Sequence, residues 1–154
     1  MTARIADNIQ LVPILEANDL AGAAGTCDSI NVKNARRVAF VFMFGDITGN
    51  SVLKVRAGAT DGATTEDLTF SYRAAGADTA TTGSDVLGTE ATSAALTLTA
   101  GTYDHTMLVV EIDLVNITDG YYYVTPNISG VANPCDVSCV AIVYPKYSVG
   151  ATMV

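Results

Sequence analysis

One histidine, His105, stands among sixteen acidic residues in this chain of 154. General acid-base or nucleophilic chemistry near neutral pH usually needs an imidazole with a partner to orient it. Asp104 is its sequence neighbour, but adjacent residues of an extended strand point to opposite faces. On that reading the pair cannot cooperate, and His105 is a polar residue at the mouth of a strand.

Glu111 and Asp113 would share one strand face about 7 Å apart, a separation that glycoside hydrolysis could use. The chain has no Trp to stack on a sugar, so a solvated sheet face accounts for the pair. Asp61, Glu66 and Asp67 flank a Gly turn and carry the oxygens that calcium takes, but their spacing is not that of an EF-hand, and an acidic loop accounts for them as well. Cys27, Cys135 and Cys139 make an odd number with no zinc spacing. Cys135 and Cys139 could close a small disulfide loop, whereas reduced thiols buried as small hydrophobes suit a cytosolic product. No nucleophile elbow, phosphate-binding loop or zinc-protease motif occurs. The expectation is therefore no enzyme, no cofactor and no catalytic or metal residue.

Charge is unevenly spread. Arg4, Lys33, Arg36, Arg37, Lys54, Arg56 and Arg73 all precede residue 74, and residues 74 to 145 hold eight acids and no base. Phosphate binding needs clustered cations, so a nucleic-acid partner is not expected. Neither a signal peptide nor a run of transmembrane length is present, which leads to the expectation of a cytosolic product with no membrane partner. The sequons at Asn116 and Asn127 then carry no meaning.

These residues must be positioned by strands. The apolar runs are short, rich in Val, Ile, Phe, Tyr and Thr, and punctuated by Gly, Asn and Asp. Strands are expected over 9–15, 29–32, 37–44, 51–57, 68–73, 95–99, 106–114, 121–125 and 138–144, with Pro126 ending or bending the last but one. The fold class predicted is all-β, an antiparallel β-sandwich of jelly-roll type. Leu108, Val110, Ile112 and Leu114 alternate with Val109, Glu111 and Asp113, as a half-buried strand requires. Residues 38–44 are apolar on both faces, which marks a central strand or one buried at a subunit contact.

Pro13 makes a central strand improbable near the start. Residues 1–28 are therefore expected to form an extended arm or edge element, and 29–154 the single sandwich domain. The Ala/Thr/Gly-rich segment 74–95 is long for a loop. Hydrophobic residues make up 49% of the chain with only 16% charged, so some apolar surface must be covered by copies or partners.

The arm ARIADNIQLVPIL, the hairpin VAFVFMFGDITGNSVLKVRAGATDG, the stretch LTLTAGTYDHTMLVVEID and the closing VAIVYPKY resemble the small all-β auxiliary, or decoration, proteins of tailed-bacteriophage capsids. The resemblance implies a virion structural protein that binds the major capsid protein as a homotrimer and cements the shell. A phage tail or receptor module binding glycan through 74–95 and Tyr121, Tyr122 and Tyr123 is the alternative. Ile5, Ile9, Leu11, Ile14, Lys33, Arg36 and Arg37 are the expected partner-binding residues, as apolar surface needing cover and cations suited to an acidic shell.

Overall fold

A computed structural model describes residues 9–20, 24–75, 86–129 and 135–146. The strands are β1 (Gln10–Asp19), β2 (Gly25–Thr26), β3 (Ile30–Asn31), β4 (Ala35–Ile47), β5 (Ser51–Gly58), β6 (Glu66–Leu68), β7 (Phe70–Ala74), β8 (Ala91–Ser93), β9 (Leu96–Leu98), β10 (Met107–Ile112), β11 (Tyr123–Ile128) and β12 (Cys135–Pro145). A single helical turn, α1 (Ala100–Tyr103), precedes β10, and a 3-10 turn follows it at Leu114–Asn116.

Two antiparallel sheets face each other. The larger runs β1-β12-β4-β10-β7-β8, and the smaller runs β2-β11-β5-β6, with β3 also on β11 and β9 also on β5. If β2 and β3 are counted as one interrupted strand and β6 to β8 as an insertion, the first strand pairs with the last. The second then pairs with the seventh, the third with the sixth and the fourth with the fifth. That nesting is the jelly roll.

Alternation decides which side chains meet between the sheets. Val38, Phe40 and Phe42 of β4, Leu108 and Val110 of β10, Ala141 of β12 and Leu53 and Val55 of β5 are all at most 1% exposed. Phe42 stacks on Phe44 with ring centroids 6.0 Å apart.

The two prolines within strands are placed by backbone chemistry. Pro13 lies in β1, which pairs only with β12 among the described residues, an edge position of the kind to which proline is confined within sheets. Gln10–Asp19 is thus an edge strand of the sandwich itself.

Of the two expectations for Pro126, that it ends or bends its strand, the first fails: β11 continues through it to Ile128. N–H and C=O of one residue in an antiparallel strand point to the same neighbour, and the Pro126 carbonyl accepts from the Cys27 N–H at 3.0 Å. The absent N–H therefore falls where β2 and β3 are interrupted, and no pairing is lost.

The junction before β10 is tied down from inside. The buried Thr106 hydroxyl donates to the Tyr103 carbonyl at 2.9 Å, and the Phe44 N–H donates to the Thr106 carbonyl at 2.9 Å. Burial, reinforced by neighbouring Tyr72, pushes the Tyr103 phenol up to about 12, so it stays a neutral packing group. Of the segment 74–95, Ala75 bridges to Leu87 and Ala91–Ser93 forms β8, while 76–85 lie outside the described residues.

Candidate functional site

At one end of the sandwich, the last turn of β4 meets the α1–β10 junction. The Asp104 carboxylate accepts the Ile47 N–H at 2.9 Å, and the His105 N–H donates to the Gly45 carbonyl at 3.0 Å. These bonds hold His105 in the left-handed region, at φ 49°. Its imidazole Nε2 lies 2.9 Å from Asp46 Oδ1 and 3.9 Å from Asp104 Oδ2.

The expectation that Asp104 and His105 point apart therefore fails, because alternation holds only where both residues are extended. Asp46, 59 positions from His105 and invisible as its partner in the sequence, completes the group. One imidazole nitrogen and two carboxylate oxygens within 4.8 Å of one another are a donor set that a divalent ion accepts. The side chains of His105 and Asp46 are 57% and 65% exposed, so the pair is screened and weak. Substituting His105→Ala should shift stability by only about 0.5 kcal/mol or less, measured by urea denaturation. A loss several times larger would show that the imidazole organises the junction.

Glu111 and Asp113 are each engaged elsewhere. Glu111 accepts from Arg37 at 2.6 Å, and Asp113 accepts the Val115 N–H at 3.1 Å, capping the 3-10 turn. Both line a surface cleft of about 490 Å3 that also contains Glu66, Asp67, Ser71 and Thr92. Asp67 is clamped by Lys54 at 2.6 Å and Arg56 at 2.8 Å. The Lys54 hydrogen bond, with both cations adding attraction, holds its carboxyl below the usual range. Glu111 and Asp67 thus enter the cleft as paired charges, whereas Asp113 and Glu66 accept backbone N–H groups.

The three thiols are free and buried. Cys135 and Cys139 sit four residues apart on one extended strand, about 13 Å along it, too far to bridge. Burial pushes the Cys139 thiol strongly up, with the Cys27 thiol beside it, so it is inert. The three tyrosines have different settings. Tyr121 packs against the core, Tyr122 lies under the Lys33 ammonium at 5.4 Å, and Tyr123 is half-buried in β11.

What remains is the outward face of the larger sheet. Its register places Leu11, Ile142 and Ala39 in one row, which runs on to Glu111; Pro13, Val140, Val41 and Val109 in the next, which runs on to Arg73; and Met43 beside Met107 and Ser138 in a third. Leu11, Met43 and Val140 are 55%, 47% and 38% exposed. No family model, curated protein or solved structure matches the chain. The face must therefore be read from its own chemistry.

The residues expected to bind a partner separate on this frame. Leu11 points outward, Ile14 packs into the core at 5% exposure where no partner can reach it, and Ile9 is half-buried just before β1. Lys33 caps Tyr122, Arg36 is exposed, and Arg37 is held by Glu111. Ile5 lies outside the described residues. The sequence signal for the outward face was the double-sided apolar pattern of 38–44. Its other contributors, Val140, Ile142, Met107 and Val109, become members only through strand order.

Proposed function

We propose that this chain is a structural component of a virus particle, an auxiliary protein of the tailed-bacteriophage type that seats on the major capsid protein and reinforces the shell. The observation that carries the reading is the apolar outward face of the larger sheet. An antiparallel sheet with one side in water ordinarily alternates polar residues onto that side, and soluble monomers rarely leave a continuous apolar patch uncovered. A surface of this kind serves association. Jelly rolls also build lectins and cupins, so the fold is compatible with the proposal without selecting it.

The seat on the shell is the sandwich end where Lys146 Nζ donates to the Lys33 carbonyl at 3.3 Å, which brings together two cations suited to an acidic capsid surface. Purified protein mixed with capsids that lack it should co-sediment to a saturating number of copies and raise the temperature at which the shells rupture. Binding should weaken as salt rises. Shells that recover no protein at micromolar concentration would sink the proposal.

A further inference from the structure

The outward face has charged ends of opposite sign. Beyond the methionine row lie Asp19 and Asp136, directly opposed across β1 and β12, and Asp46 follows Gly45, whose backbone approaches Asp136 so closely that an added Cβ would lie 2.9 Å from the Asp136 Cβ. At the other end of the same strands lie Arg36 and Arg37 at the start of β4, where Tyr144 opposes Arg37, Pro145 opposes Ala35 and Arg36 is the extra residue of the register shift between them. Lys146 follows, its N–H bonded to the Asn34 carbonyl at 2.9 Å. Of the acids within and beside the rows, Glu111 is paired with Arg37 at 2.6 Å and Glu90 with Arg73 at 3.0 Å, while Asp113 lines the same cleft as Arg36 and Arg37 and accepts the Val115 N–H. The face thus runs from an acidic end, across an apolar middle, to an end where Arg36, Arg37 and Lys146 outnumber Glu111 and Asp113.

We propose that this face docks a second copy of the chain, sheet against sheet, with the strands of the two copies antiparallel. Two identical faces can meet about a two-fold axis in the interface plane. An axis along the strands would lay acid on acid and base on base. An axis across the strands, through the row of Val41 and Val140, reverses the direction. It sets Arg36 and Arg37 of one copy over Asp46 and Asp136 of the other, twice over.

Such stacking separates the sheets by about 10 Å, as in a sandwich core. Valines, Ile142 and the methionines would fill that gap. Four strands at about 4.8 Å spacing and the stretch from Arg36 to Asp46 at about 3.3 Å per residue outline about 600 Å2, close to the roughly 800 Å2 per partner of a stable interface. Complementary ends also offset the repulsion expected between two copies of net charge -8.

The pairing rests on the association reading of the face, but not on the shell. Sedimentation equilibrium of the full chain at micromolar concentration should give a dimer, weakened by salt. Val41→Lys should give a folded monomer, with circular dichroism and melting as the check, and Val140→Lys provides a second variant if the first fails to fold. Arg36→Glu and Asp136→Arg should each weaken the dimer about tenfold, and the two combined should restore most of it. Within one copy these positions lie at opposite ends of the sheet, so only an antiparallel neighbour explains restoration. A monomeric parent, a trimer, or a double swap as weak as the single ones would overturn the proposal. A dimer that does not bind capsids would leave the pairing standing and remove the shell, and capsid binding by a monomer would do the reverse.

Discussion

Replacing Phe42 with alanine should destabilise the protein by about 3–5 kcal/mol. Phe42 is fully buried, in register with Cys139 on one side and Leu108 on the other, and its ring stacks on Phe44. Its position in β4 keeps it between the sheets, with neighbours fixed by ladder bonds on both flanks, so the void cannot collapse by local backbone movement. Natural domains hold only about 5–15 kcal/mol in total. The substitution should therefore lower the melting temperature by roughly 10 °C. Phe42→Leu, which retains most of the volume, should cost about 1.5 kcal/mol or less. A Phe42→Ala protein that melts within about 2 °C of the parent would mean that the sheets do not close over this ring.

Gly58→Ala should be unusually costly for the addition of one methyl group. Gly58 ends β5, and its ordinary backbone angle would accept alanine. The obstacle is space, because an added Cβ would sit 2.5 Å from both the carbonyl oxygen and the Cβ of Ala63. Ala63 cannot move freely, since the turn it occupies is closed by its own N–H to the Thr60 carbonyl at 3.0 Å and by Thr65 N–H to Ala57 at 2.9 Å. Relief requires shifting the β5–β6 connection, at an overpacking cost of about 1–3 kcal/mol. Gly101→Ala is the control. It lies in α1 with nothing within 4 Å of an added Cβ, and alanine there should be neutral or stabilising by up to about 1 kcal/mol. Equal melting temperatures for the two variants would contradict the close approach at Gly58.

The alternation of Leu108, Val110 and Ile112 against Val109 and Glu111 was enough to place β10 half in the core, because the side-chain period of a strand is a local property. The same holds for the edge position of β1, since Pro13 lacks the N–H that a central strand must supply. Pro126 shows the limit of that local rule: whether a missing N–H matters depends on what lies opposite, and only the interruption between β2 and β3 made β11 tolerate it. His105 shows a second limit. Asp46 reaches it because β4 and β10 are neighbours in the sheet, and Asp104 turns the same way because the junction is left-handed. Neither fact has a signature in residue spacing. The apolar pattern of 38–44 announced two buried faces, and the fold supplied one of them. That the other belongs to a continuous surface shared by β1, β12, β4 and β10, acidic at one end and basic at the other, follows from strand order. Strand order is set by the long-range nesting of first strand with last, a contact between residues more than a hundred positions apart that local propensity does not encode.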